Sequence, residues 1–483
     1  MRTCSSFDAF RLSTRSAIGM FAAVLVIVAS CGRCCVLAED SDQSKPAFFH
    51  PTAYVDVDYN DPNARFSWAR SKESEHFYLF WEPGFGKDTN AETVPENLRV
   101  DSDDMLEKAE RFYKTNVENL HMIDKLPNGY KIQIYLMYQE DWLATGAGFD
   151  EQIGALWISP ATCRPVGSTI AHEIGHAFQY LVSCQLIAVN AAKFGEAGFR
   201  YAYPEGRGNA FWEICAQWQA WQDYPEEMFV WFEMDVWFAN YRRAFENELT
   251  RYQNYWPLYY FAEKRGIDVL SRIWNESRFP EDAMSTYMRL YLNNDLDAFY
   301  DDMYEYASKV VTFDFDACRQ YSEPQQGRYD STLYEMSDGY RQIAYGSCPE
   351  VNGFAAIKLE PEAGQKVCVD FKGMRPGDPL AEEDPGEYLI DEQEKKTTSA
   401  YNEYDGTIGW RYGFVALLDD GTRVYSPACA DSESSVNFDV PENVRTLYFV
   451  VLGTAKVYVC HVWDGNELND VQTPFAVRVH YEK

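Results

Sequence analysis

The sequence predicts an α+β protein in two parts, residues 50–325 followed by residues 326–483. Three observations lead there. At 483 residues the chain is long enough for two domains that each bury a core. Before Cys318, strand-like alternation gives way to stretches with apolar residues three and four apart, the spacing of helices. Beyond Cys318, short β-type runs lie between turn signals, the pattern of a β-sandwich.

In chain order, Glu75 to Trp81 is a strand followed by a Gly/Pro turn, and Asp101 to Leu120 is a helix with acidic residues in its first turn. Tyr130 to Met137 alternates as a half-buried strand does. Ile153 to Ser159 is a short strand just before a long helix, read as an edge strand whose Gly154 to Trp157 backbone is free to pair with an extended peptide; an interior strand is the competing reading. From Tyr224 to Asp316 aromatics recur at helical spacing, among them Phe229, Trp231, Phe232, Trp237, Phe238, Tyr252, Tyr255, Trp256, Tyr259 and Tyr260. A stripe of this period is read as core rather than as a sugar-stacking surface. The expected C-terminal strands are Lys366 to Phe371, Trp410 to Leu418, Leu447 to Leu452, Val457 to Val459 and Phe475 to Tyr481, with Asp419-Asp420-Gly421-Thr422 as a hairpin turn. Residues 376–407 form an acidic loop within them. Asp464, Asn466, Asn469 and Asp470 offer oxygen atoms to calcium, but the Gly and Glu of an EF-hand loop are missing, and a polar turn is the simpler reading.

The chemistry concentrates in His172-Glu173-Ile174-Gly175-His176. On a helix, residues four apart share a face, so both imidazoles reach one ion, while Glu173 sits about 100° around the same turn, placed to act on a water there. Thr169, Glu173, His176, Gln179 and Tyr180 gather on one side of this helix; Ile170, Ile174, Ala177, Phe178 and Leu181 gather on the other. A catalytic zinc site needs a third protein ligand and an open position. The metzincin continuation is excluded, since Gln179 and Val182 stand where its Gly and third His belong. The next histidine is the distant His461, which leaves a carboxylate and two competitors. Glu196 lies in a glycine-rich stretch, a poorly preorganised setting. Glu213 lies 37 positions beyond His176, on a helix that Asn209 can cap and whose apolar stripe runs Phe211, Ile214, Cys215, Trp218, Trp221. Glu213 is the preferred ligand, with Gln217 four residues on as its supporting partner.

With these residues in place the chain resembles a gluzincin, the branch of zinc metallopeptidases whose third ligand is a glutamate on a following helix. Within that branch it is similar to a little-characterised family of secreted, mostly bacterial zincin-like domains, loosely related to avirulence-type metallopeptidases. The matching phrases are Ser168-Thr169-Ile170-Ala171-His172-Glu173-Ile174-Gly175-His176-Ala177-Phe178-Gln179-Tyr180, Phe211-Trp212-Glu213 through Ala216-Gln217-Trp218, Gly154 to Pro160, and His461-Val462-Trp463-Asp464 with Asn469-Asp470. The resemblance implies a zincin-like fold over the first part and names no substrate. The expected activity is zinc-dependent hydrolysis of peptide bonds in a protein or glycoprotein substrate: Zn²⁺ on His172, His176 and Glu213, Glu173 as general base, and Tyr201 or Tyr203 as partner of the oxyanion. The competing expectation is a catalytically idle zincin-like adhesin, binding glycan or protein through the C-terminal sandwich; a third is a zinc-stabilised scaffold.

Arg11 and Arg15 precede an apolar run from Ala17 to Ala29, the length of a signal-peptide core rather than a membrane span. Residues 1–38 are therefore expected to direct export, leaving a secreted or surface protein without a transmembrane segment. Val28-Ala29-Ser30-Cys31 reads as a lipoprotein box with a lipid anchor on Cys31, and Val36-Leu37-Ala38 as an ordinary cleavage site; both readings stand. Eight cysteines follow the leader, an even number suited to an oxidising compartment, and a bridge among Cys163, Cys184 and Cys215 is expected to stiffen the site. A net charge of −32 argues against nucleic-acid partners and anionic membranes.

Overall fold

Strands with parallel neighbours must cross over, and here a helix makes the first crossing. The computed structural model describes residues 47–482, apart from 195–208, 230–232, 279 and 392–393, and only the backbone of 186–194 and 209. The segment expected to direct export, with Cys31, and Glu196, Tyr201, Tyr203, Trp231 and Phe232 all lie outside the described residues. The first sheet comprises β1 (Ser71–Glu73), β2 (Phe77–Trp81), β3 (Ile132–Leu136), β4 (Ala144–Phe149) and β5 (Ile153–Ile158), in the order β1-β2-β3-β5-β4. β2, β3 and β5 run parallel, while β1 and β4 are antiparallel to their neighbours. Helix α1 (Ser102–Lys114) carries the chain from β2 to β3; the Asp101 side chain caps it, accepting from the N–H groups of Asp103 and Asp104.

The strand expected at the sheet edge is interior. β5 is paired on both sides, by β3 and by β4, and the edge belongs to β4, a glycine-bearing strand that its weak alternation hid. Helix α2 (Ser168–Phe194) follows, with Ile170, Ile174, Ala177, Phe178 and Leu181 buried as its wheel required. Helix α3 (Asn209–Trp221) packs across it. Five more helices follow among the described residues: α4 (Glu233–Asn240), α5 (Trp256–Arg265), α6 (Val269–Glu276), α7 (Ala283–Tyr291) and α8 (Leu296–Val310). Their aromatics, including Phe229, Trp237, Tyr255, Trp256, Tyr259 and Tyr260, are buried in one core rather than displayed.

The C-terminal part is two antiparallel sheets sharing a core. One contains β8 (Phe354–Leu359), β12 (Ile408–Leu418), β13 (Arg423–Tyr425) and β15 (Val444–Ala455); the other contains β6 (Leu333–Glu335), β7 (Arg341–Ile343), β9 (Lys366–Gly373), β14 (Glu433–Asp439) and β16 (Phe475–Glu482). Phe371, Trp410, Tyr412, Phe414, Phe449 and Phe475 fill the space between them. Asp419–Thr422 turns β12 into β13 as expected, with Gly421 at positive φ. Val457 to Val459 forms no strand, and the 376–407 loop contains a small hairpin, β10 (Tyr388–Leu389) with β11 (Lys395–Lys396).

Period-two alternation explains how the parts join. Along β15, Leu447, Phe449 and Val451 face the sandwich core, while Tyr448, Val450 and Leu452 belong to the core of the helical region, beside Tyr304 and Ala307 of α8. Residues 45–483 consequently form one compact unit. No disulfide joins the eight cysteines among the described residues, so the expected bridge among Cys163, Cys184 and Cys215 is absent. The Cys163 thiol turns to the Ser159 carbonyl at 3.4 Å, whereas Cys215 lies on the wholly buried face of α3. No helix among the described residues is long and apolar enough to cross a membrane.

Candidate metal centre

Two close approaches assemble the site. Gly175, inside the His/Glu motif, lets α3 come near: a Cβ there would stand 3.1 Å from the Ala216 Cα. Gly146 does the same for the edge strand β4, since a Cβ there would fall 2.0 Å from the Glu173 carbonyl oxygen. Helix α2 is thus clamped between α3 and β4.

At that junction His172, His176 and Glu213 converge. The Nε2 atoms of the two histidines are 3.1 Å apart, and each is 3.1 Å from the same carboxylate oxygen of Glu213. Three donors bound to one tetrahedral zinc at ordinary bond lengths stand about 3.3 Å apart, so the triangle fits that ion. Both imidazoles are buried, and Glu213 is about one-fifth exposed. The rings cross edge-to-face, 4.7 Å between centroids.

The hydrogen-bond pattern around His176 shows what the convergence demands. Gln179 donates from Nε2 to the Trp212 carbonyl at 3.0 Å, which orients its amide and leaves Oε1 facing the His176 Nδ1 at 3.1 Å. A carbonyl oxygen only accepts, so Nδ1 carries the hydrogen and Nε2 is left with a lone pair. That lone pair meets the Glu213 carboxylate and the second imidazole. Such a cluster requires a cation, either a proton or a metal ion. Burial alone would lower His176, but the Glu213 carboxylate outweighs it and raises the pKa to about 9, while Glu213, despite its own burial, is held well below the usual carboxylate range by His176. Glu173 is buried on the same turn; burial raises its pKa, against the pull of the two histidines.

The match of residues 40–482 to one family decides the kinship of this molecule. The chain belongs to DUF6055, a family of unknown function. No curated protein matches it. Among solved structures, this DUF6055 chain is similar to the family 22 carbohydrate-binding module of Clostridium thermocellum Xyn10B, at 10% identity and a TM-score of 0.17, covering 32% of this chain and 81% of that one. It is also similar to the M60 catalytic domain with two CBM51 domains from Clostridium perfringens ZmpB, at 9% identity and a TM-score of 0.24, covering 87% of this chain and 60% of that one. Likenesses of this size say nothing about its chemistry.

Two parts of the DUF6055 site were not legible in its sequence. The polar support comes from Gln179 rather than Gln217: Gln179 holds His176 and also meets Gln219, which donates to Asn116 at 2.5 Å. Gln217 is buried on α3 without a hydrogen bond to Glu213. The polar face of α2 carried the signal for Gln179; Asn116 and Gln219 gave none. The second is Tyr252, whose ring lies 5.9 Å from that of His172, with the Arg251 guanidinium 4.8 Å from its centroid. Burial, together with Glu213 and Glu173, keeps its phenol protonated far above neutral pH.

Proposed function

We propose that this protein is a zinc-dependent peptidase of the gluzincin type, built on a zincin-like arrangement of the first sheet with α2 and α3. The observation that carries the reading is the equilateral set of donor atoms on His172, His176 and Glu213, with Glu173 on the same turn of α2 as the two histidines. These three residues would hold zinc, which would supply an acidified water and a Lewis-acid contact for the scissile carbonyl. Glu173 accepts the proton of the attacking water and passes it to the departing amine; its burial, which raises its pKa, suits a group that must also act as an acid. Tyr252 takes the part first sought in Tyr201 or Tyr203, donating its hydroxyl hydrogen toward the oxyanion. Gln179 fixes the tautomer of His176, so that Nε2 presents its lone pair. β4, last in the order of the first sheet among the described residues and packed beside α2, is the element placed to pair with an extended peptide backbone.

The test is metal analysis of the purified protein with cleavage of a generic protein substrate, with and without chelator. Glu173→Gln is expected to keep the metal and lose roughly 10²–10⁴-fold in turnover, and Tyr252→Phe to keep the metal with a smaller loss. Unchanged turnover in Glu173→Gln removes the assignment. A metal-bearing wild type without hydrolysis, whose melting temperature drops on chelation, supports the scaffold reading instead.

A further inference from the structure

Between α4 and α5 a short turn, Glu248–Thr250, is capped by Asn247, whose side chain accepts from the Leu249 N–H at 3.0 Å. The next two residues bring a cation and a phenol toward His172: Arg251, then Tyr252, whose ring lies 5.9 Å from the imidazole. A segment from far along the chain is fastened to this turn. Glu248 accepts from the Gly465 N–H at 2.8 Å and meets Nε2 of His461, whose Nδ1 faces Asp470 at 3.2 Å. Asp464 in turn accepts from the Asn466 N–H at 2.9 Å and from the Asn469 amide at 2.7 Å. Trp463 is therefore held by its neighbours on both sides while 39% of it stays exposed.

Arg251 lies between the two segments. Its guanidinium carbon is 4.8 Å from the centroid of Tyr252 and 5.2 Å from that of Trp463, a cation in contact with two aromatic rings. Nη1 donates to the Glu248 carbonyl at 2.6 Å. No carboxylate among the described residues forms an ion pair with it, in a chain that holds 75 acidic residues against 43 basic ones. A guanidinium carries five N–H donors in a rigid planar fork, so one backbone acceptor and two ring contacts fix its plane and leave donors at its edge. Burial, followed by Glu213, raises the pKa of the Tyr252 phenol and Arg251 lowers it, which places that phenol within reach of both charges. Tyr252 thus links the guanidinium to the His172 centre.

We propose that Arg251, clamped between Tyr252 and Trp463, is a subsite that binds a carboxylate of the substrate beside the His172 centre, so that the protein selects acidic chains. A planar carboxylate matches the guanidinium fork and forms strong charge-assisted hydrogen bonds with it. Two sources carry that chemistry: an Asp or Glu side chain near the scissile bond, and the free C-terminus of the chain being cut. That the bound chain is cut rests on the peptidase reading; that its carboxylate binds here is measurable without it.

The experiment titrates three short peptides into the full chain by calorimetry: a capped peptide with a central Glu, its capped Gln twin, and the Gln twin with a free C-terminus. The chain is first stripped with chelator, which removes a bound metal as a rival partner for the carboxylate and stops hydrolysis. Expected is binding of a carboxylate-bearing peptide about 10–100-fold tighter than of the capped Gln twin. Preference for the central Glu assigns the subsite to a side chain, and preference for the free terminus assigns it to a chain end. Arg251→Met should remove most of the preference, and Arg251→Lys, which keeps the charge without the fork, should restore part of it. If Arg251→Met does not fold, Trp463→Ala takes its place, because the guanidinium then loses one of its two clamps. Equal behaviour of the three peptides, or a preference that survives the variant, overturns the proposal. Measuring kcat/KM for the same peptides with added zinc separates the two readings. Cleavage without preference removes the subsite alone, and preferential binding without cleavage removes the peptidase alone.

Discussion

His176 shows how much one residue's environment determines. Its Nδ1 hydrogen is fixed by Gln179 and its Nε2 is aimed at Glu213, so without metal the ring takes up a proton and keeps it up to a pKa of about 9. The sign follows directly. Below that pH the free site is protonated, and an incoming ion must displace the proton, so apparent zinc affinity should rise as pH climbs from neutral toward 9. Zinc titrations at neutral pH in buffers of different ionisation enthalpy should therefore report release of about one proton per ion from this ring. An enthalpy independent of buffer would show that His176 is already neutral in the free protein. The proposed ligand and base residues were readable because His172, Glu173 and His176 lie within five positions, and Glu213 followed as the candidate third ligand from helical facing, with Glu196 as rival. Tyr252 was not readable as a site residue. Its place beside His172 depends on packing 80 positions later in the chain, and aromatic spacing alone marks it only as core.

At the scale of elements, the site depends on two helices and a strand meeting at distances that only glycine permits. Gly146 is the sharpest case, because any side chain would collide with the backbone of Glu173 and with the His176 Cβ, 2.9 Å away. Gly146→Val is expected to cost about 3 kcal/mol or more. Gly167→Ala, whose new Cβ would meet nothing nearer than 3.7 Å, should stay within about 0.5 kcal/mol. Chemical denaturation of the two variants checks this, and equal stability would mean that β4 does not lie so close to α2. The long periodic elements α1, α2, β9, β12 and β16 were legible because amphipathic pattern and burial agree. β4 was missed since Ala144-Thr145-Gly146-Ala147-Gly148-Phe149 has neither β-branched enrichment nor clear alternation. That omission also put β5 at the edge, where an unseen neighbour in fact covers it.

Across the whole molecule, the boundary drawn near residue 325 divides composition but not the core. Val351, Phe354, Ala356, Val415, Tyr448, Val450, Leu452 and Ala455 lie beyond it and are buried with the helical region. Removing them exposes apolar surface worth on the order of 10 kcal/mol, comparable to the whole stability of a typical domain. A fragment of residues 45–325 should therefore lose cooperative melting and bind hydrophobic dyes, while the full chain melts in one transition. A fragment melting sharply at the temperature of the full chain would restore the two-domain division. The unbroken run Leu447-Tyr448-Phe449-Val450-Val451-Leu452 carried this information, because a strand covered on one face alternates and one covered on both does not. By itself the sequence determined the α+β class and the helix bearing His172, Glu173 and His176, and singled out Glu213 as the candidate third ligand, all from periodicities of one or two turns. Tertiary structure alone decided that Glu213 meets both imidazoles, that β4 forms the edge, that Tyr252 stands beside them, and that His461 joins a buried acidic cluster. Those juxtapositions span tens to hundreds of residues, and the pattern along a chain is silent about which of its distant faces will be pressed together.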